Sequence, residues 1–166
     1  MKTGILDAGN VGTRVADLAK AAGHDVVVEN RTGEFPPADA AKQERLVIVA
    51  IHYHAVANAL PSLASTLAGR IVVDATNPPN DDWSPDCLDR KTLVLKKWRS
   101  LSAMRRWLKH STRFADGMMP KTQGREGQKI TAFIARNDDH AVEQVVELAR
   151  SISFTPTTVS TLSAAR

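Results

Sequence analysis

The chain opens Met1-Lys-Thr-Gly-Ile-Leu-Asp-Ala-Gly-Asn-Val-Gly12 and soon reaches Asp25-Val-Val-Val28. Lys2 to Leu6 is a short apolar run, the pattern of a strand. Asp7-Ala-Gly9-Asn-Val-Gly12 is a glycine-bearing turn. Apolar residues at Val11, Val15, Leu18, Ala19 and Ala22 then recur at the spacing of one buried helix face. Gly23 and His24 end that helix, and Asp25 to Val28 makes a second strand. Strand, glycine turn, helix and strand within about thirty residues is the setting of a dinucleotide-binding βαβ unit. In such a unit the turn brings backbone amides close to a pyrophosphate, and the helix N-terminus adds partial positive charge.

The G-x-G-x-x-G fingerprint is incomplete. Asp7 stands where the first glycine belongs, while Gly9 and Gly12 keep the places for close cofactor approach and helix–strand packing. Aspartate tolerates unusual backbone angles better than most residues, but its carboxylate beside a pyrophosphate is repulsive unless it turns away or caps an amide. Two readings follow: a weakened nucleotide site, or a strand that merely ends at Asp7 with no nucleotide bound.

Beyond this unit, strands are expected at Leu46–Ile51, Arg70–Asp74, Leu93–Lys96, Ile130–Ala135 and Phe154–Val159. Helices are expected at Val56–Leu67, Ser102–His110 and Asp139–Ile152. The last has Asp139 as its N-cap and Val142, Val145, Val146, Leu148 and Ala149 as its apolar side. Several strands lack polar alternation, as strands covered on both faces do. Alternating strands and helices imply an α/β fold: a doubly wound, Rossmann-type sheet, mostly parallel, with helices on both faces. The strands at Ile130 and Phe154 complete one edge, where an antiparallel strand fits. Fourteen residues, 32–45, separate Arg31 from Leu46 and include Gly33, Pro36 and Pro37, leaving room only for a short helix at Ala38 to Glu44. Asp116 to Gln128, with three glycines and a proline, reads as an exposed loop.

The 166 residues suit a single domain with its own core. The lone cysteine, Cys87, excludes an internal disulfide framework and fits a reducing compartment. No apolar run approaches membrane-spanning length and no signal peptide precedes the first strand, so a cytoplasmic protein without a membrane partner is expected.

Net charge is +4, and the basic excess is uneven. Between Arg90 and Arg113 there are basic residues at 90, 91, 96, 97, 99, 105, 106, 109 and 113 and no acidic ones. With Trp98 and Trp107, this segment could track phosphates and stack on bases. The plainer reading makes Met104 to His110 a surface helix with Leu101, Met104 and Leu108 facing inward. A basic surface attracting an anionic cofactor or substrate lies between the two.

In an open parallel sheet, ligands bind beyond the carboxyl ends of the strands, near the switch in strand order. After the second strand come Glu29-Asn30-Arg31-Thr32. A carboxylate there binds the ribose hydroxyls of NAD, whereas an arginine pairs with the 2′-phosphate of NADP. Asn30, Arg31 and Thr32 read as a phosphate clamp with Glu29 turned elsewhere, which favours NADP(H); a solvated turn is the alternative. His52-Tyr53-His54 follows the third strand without a third ligand group, so the two histidines line a groove or start a helix rather than hold a metal. Asp74-Ala-Thr-Asn-Pro-Pro79 follows the fourth. Thr76 and Asn77 offer neutral hydrogen bonds where a nicotinamide would lie, although Asn-Pro is also a turn signal by itself.

Gly9-Asn-Val-Gly12, Ala22-Gly-His-Asp-Val-Val27, Val73-Asp-Ala-Thr-Asn-Pro78 and Thr161-Leu-Ser-Ala-Ala-Arg166 together resemble the coenzyme F420-dependent NADP oxidoreductase family. Ala132-Phe-Ile-Ala-Arg-Asn-Asp-Asp139, followed by a helix and Phe154-Thr-Pro156, is similar to that family's late strand and last conserved helix. The resemblance implies a Rossmann-type domain, a homodimer, and hydride transfer between NADP(H) and coenzyme F420, a flavin or a small acceptor. Such chemistry implies no catalytic acid or base in the protein, since the cofactors carry it. It implies that Gly9, Asn10, Val11 and Gly12 cradle the pyrophosphate and that Asn30, Arg31 and Thr32 hold the 2′-phosphate. His52, Asn77 and Pro78 would line the groove toward the nicotinamide.

The chain departs from the family pattern at several places. Asp7 replaces a glycine, and His52 stands where proline is usual. Lys96-Lys-Trp-Arg-Ser100 occupies the place of a Lys-Ala-Phe-Asn-Thr motif. The chain stops at Arg166, where family members continue into a C-terminal helix. These departures keep open a degenerate Rossmann domain that binds nucleotide as a sensor or interaction module without turnover.

Overall fold

In the computed structural model the strands are β1 (Lys2–Leu6), β2 (Asp25–Glu29), β3 (Leu46–Val49), β4 (Ile71–Asp74), β5 (Trp107–Ser111), β6 (Thr131–Arg136) and β7 (Thr155–Val159). Helices α1 (Asn10–Ala21) and α2 (Asp139–Ser151) complete the main elements, and residues 55, 59, 61, 63–65 and 67 are also helical. The structure describes residues 1–6, 9–29, 45–51, 55, 59, 61, 63–65, 67–76, 107–111, 129–136 and 139–159.

The seven strands form one sheet in the order β2-β1-β3-β4-β5-β6-β7. The first five are parallel; β6 runs against β5, and β7 is parallel to β6. Right-handed crossovers fix where the helices go. The step from β1 to β2 goes one way across the sheet, and the step from β3 to β4 goes the other. The first crossover therefore places α1 on one face, and the second places helical residues 55, 59, 61, 63–65 and 67 on the other. The step from β6 to β7 goes the same way as β3 to β4, but the strands are reversed, which returns α2 to the face of α1. The core confirms this: Val15, Ala16 and Ala19 of α1 and Val142, Val145, Leu148 and Ala149 of α2 share one cluster with Ile5, Ile48 and Val73. Alternate strand positions, Leu6, Val47, Val49 and Val72, are buried as well, along with Leu63 and Leu67.

Both helices stop in the same way. After α1, Gly23 N donates to Lys20 O (2.9 Å) and His24 N to Ala19 O (3.0 Å), with Gly23 at φ +82°. After α2, Ser153 N donates to Arg150 O (3.1 Å) and Phe154 N to Ala149 O (2.9 Å), with Ser153 at φ +71°. These are Schellman motifs, in which a left-handed residue lets two amides satisfy the last carbonyls.

Element boundaries fall within two residues of the sequence expectation at β3, β4, β6, β7, α1 and α2. Two expectations are corrected. Ala22 is exposed at the C-cap of α1, and Ala16 takes its place on the buried side. The helix expected at Ser102–His110 overlaps β5: Trp107 to Ser111 pairs with β4 on one side and β6 on the other. Pairing with two neighbouring strands outweighs the weak helical pattern of that stretch. Lys109 therefore lies in a strand, in register with Asp74 and Ala135. The strand expected at Leu93–Lys96, the short helix at Ala38–Glu44 and the loop at Asp116–Gln128 lie outside the described residues. Among the described residues, no helix is long and apolar enough to cross a membrane.

Candidate functional site

Strand order reverses at β1, with β2 on one side and β3 on the other. Ala50 N donates to Leu6 O (3.1 Å) and Ala75 N to Val49 O (2.9 Å), so the ladder runs one residue past the strands. The carboxyl ends of β1, β3 and β4 thus stand side by side at the switch point. On the far side of β1, Glu29 ends β2 in register with Leu6.

Three residues after Leu6, Gly9 is the N-cap of α1, with φ −65° and ψ 178°. Its carbonyl accepts from Thr13 N (2.9 Å), closing the first turn. Gly9, as N-cap, has no side chain to close this helix end, and among the described residues no acidic residue lies in its first turn. A helix N-terminus carries partial positive charge, and this one stands at the carboxyl edge where an anion would be received. Val11 and Val15 seat the helix against the core, and Gly12 is buried, which brings the first turn close to the sheet. Of the residues expected to cradle a pyrophosphate, Gly9 and Asn10 are exposed, Val11 half-buried and Gly12 buried, all at the switch point. Asp7, Asn30, Arg31, Thr32, His52, Asn77 and Pro78 lie outside the described residues. The chain segments leading to Asn30, His52 and Asn77 all emerge at the carboxyl edge: Glu29, Ile51 and Thr76 precede them directly.

At the end of β4, Asp74 is fully buried and Thr76 nearly so. Asp74 Oδ1 accepts from the Thr76 backbone N (2.8 Å) and from Thr76 Oγ1 (2.7 Å). The side chain of Asp74 therefore shapes the turn by which the chain leaves the sheet. Sequence reading marked the abrupt polar stop here but missed this clamp; an Asp two residues before a Thr at a strand end was the available signal. Among the described residues, no group of three or more His, Cys, Asp or Glu side chains could hold a metal ion.

A helix N-terminus following β1 at the switch point of a mostly parallel sheet defines a Rossmann-type fold. Within that class, residues 2–78 match the family described as NADP oxidoreductase, coenzyme F420-dependent, the family that the sequence motifs resemble. No curated protein matches the chain. Among solved structures, a putative F420-dependent NADP reductase from Arthrobacter sp. FB24 is 23% identical with a TM-score of 0.82. The match covers 100% of this chain and 87% of that one. A hypothetical protein from Sinorhizobium meliloti is similar at 23% identity and a TM-score of 0.82, over 99% and 87% of the two chains. Pyrroline carboxylate reductase from Plasmodium falciparum, solved with NADP bound, is 10% identical with a TM-score of 0.67, over 96% of this chain and 58% of that one. At these identities the likeness establishes the Rossmann-type fold.

Proposed function

We propose that the chain binds NADP(H) along the carboxyl edge of the sheet and serves hydride transfer to or from a deazaflavin, a flavin or a small acceptor. The observation that carries this reading is the placement of the α1 N-terminus, with Gly9 as its N-cap and Gly12 buried, beside the joined ends of β1 and β3 at the switch point. The family match over residues 2–78 supports NADP(H) as the nucleotide. The bound nicotinamide would supply the hydride chemistry, so the chain has only to hold, orient and shield it. Gly9, Asn10, Val11 and Gly12 would take the pyrophosphate. Asn30, Arg31 and Thr32 would take the 2′-phosphate, and His52, Asn77 and Pro78 would face the nicotinamide side.

Titration with NADPH and, in parallel, NADH, followed by nicotinamide fluorescence, tests the reading. Tighter binding of NADPH, with oxidation by F420, FMN or FAD, is the expected result; no binding of either nucleotide overturns it. Asp7 favours a second reading, in which the nucleotide is bound as a signal without turnover. NADPH binding with no oxidation by any of the three acceptors would move that reading ahead.

A further inference from the structure

We propose that Asp74 is a positioning residue for the nicotinamide half of the dinucleotide, acting through Thr76; this rests on the NADP(H) reading above. Three observations meet here. First, Asp74 and Thr76 are two of the three buried polar side chains among the described residues, and both sit at the carboxyl end of β4. Burying a carboxyl group is costly unless hydrogen bonds hold it, and a turn that only had to reverse the chain would not require it.

Second, the clamp is double. Asp74 Oδ1 takes both the backbone N–H and the hydroxyl proton of Thr76, at 2.8 and 2.7 Å. Ala75 N is meanwhile held by Val49 O at 2.9 Å. The chain therefore stays in the sheet through Ala75 and leaves it at Thr76 in a fixed direction, one residue before Asn77.

Third, the strand order assigns this end of the site. The helix N-terminus follows β1, which centres the pyrophosphate there. The adenosine half extends toward β2, where the fingerprint places its ribose contacts. The nicotinamide half must then cross β3 toward β4, which stands two strands, roughly 10 Å, from β1. Asp74 and Thr76 lie on that side and Glu29 on the other.

The test uses the full chain and two probes: NADPH, and adenosine 2′,5′-bisphosphate, which carries the 2′-phosphate but no nicotinamide. Asp74→Ala is expected to weaken NADPH binding about tenfold or more, while the bisphosphate stays within about twofold of wild type. Asp74→Asn should restore NADPH binding, because the amide Oδ1 can accept the same two hydrogen bonds. Thr76→Val keeps the volume, removes one bond, and should fall between; it carries the test if Asp74→Ala does not fold. Equal loss of both probes in these variants would make the clamp a general fold element and overturn the proposal. Wild-type affinity for NADPH in Asp74→Ala and Thr76→Val would overturn it as well. A wild-type protein that binds neither probe overturns the NADP(H) reading itself, and this inference with it.

Discussion

His24 Nε2 lies 2.6 Å from Ser151 Oγ, a hydrogen bond that joins the turn before β2 to the last residue of α2 across 127 positions. One tautomer of His24 makes the three contacts a consistent relay. The Met1 amine, a donor, faces His24 Nδ1 at 3.2 Å, so Nδ1 accepts. His24 Nε2–H then donates to Ser151 Oγ, and the Ser151 hydroxyl donates to Leu148 O at 2.7 Å. Nitrogen NMR of the imidazole should show the Nε2–H tautomer; the Nδ1–H tautomer would refute the relay. Because the site is exposed, Ser151→Ala should cost no more than about 1 kcal/mol in urea unfolding.

Ser153 occupies a left-handed position, φ +71°, that its counterpart Gly23 fills without strain at φ +82°. The two helix ends use the same pair of hydrogen bonds, so the comparison is direct. A side chain in this region costs about 1–2 kcal/mol, partly offset by the extra backbone freedom that glycine loses on folding. Ser153→Gly should therefore stabilise the protein by about 0.5–1 kcal/mol, read as a higher urea midpoint at an unchanged slope. The reverse exchange at the other end, Gly23→Ser, should destabilise it by a similar amount. A lower midpoint for Ser153→Gly would mean that the serine side chain contributes more than its strain removes.

Much of this architecture was legible in the sequence because the informative signals are local. Gly23 marked the end of α1, and the spacing of Val142, Val145, Leu148 and Ala149 marked the buried side of α2. The run Leu46–Val49, buried at every position, read correctly as a strand covered on both faces. β5 was misread because Trp107 to Ser111 becomes a strand only through partners at 72–74 and 133–136, far away in sequence. In the site, Gly9 and Gly12 were legible because their spacing is itself the signal. The Asp74–Thr76 clamp had only the Asp-x-Thr spacing at a strand end to announce it, and the burial of Asp74, unusual for an aspartate, depends on neighbours far away in sequence.

Thr3 is fully buried in β1, between Val26 of β2 and Leu46 of β3. Among the described residues, nothing exchanges a hydrogen bond with its Oγ1. A buried hydroxyl without a partner carries its desolvation penalty uncompensated, about 1–3 kcal/mol. Valine has the same shape with a methyl in place of the hydroxyl. Thr3→Val should therefore raise stability by about 1 kcal/mol in urea or thermal unfolding, with no effect on nucleotide titrations. A destabilised Thr3→Val protein would show that the hydroxyl is satisfied in solution, by water or by another group.

Glu29 ends β2 directly opposite Leu6, half-buried, and the three residues that follow it are the proposed 2′-phosphate clamp. A carboxylate at this place hydrogen-bonds the free ribose hydroxyls of NADH but repels the extra phosphate of NADPH. Arg31 acts in the opposite sense, since a guanidinium pairs with that phosphate. Because Glu29 reads as turned elsewhere, Arg31 is expected to set the nucleotide preference. Arg31→Ala should lower the ratio of NADPH to NADH affinity about tenfold, mainly by weakening NADPH. Glu29→Gln should leave that ratio within about twofold of wild type. The attraction of Arg31 for the phosphate is screened by salt, so its shift should shrink as ionic strength rises. A rise in the ratio of about fivefold or more for Glu29→Gln would show that the carboxylate faces the ribose and opposes the clamp.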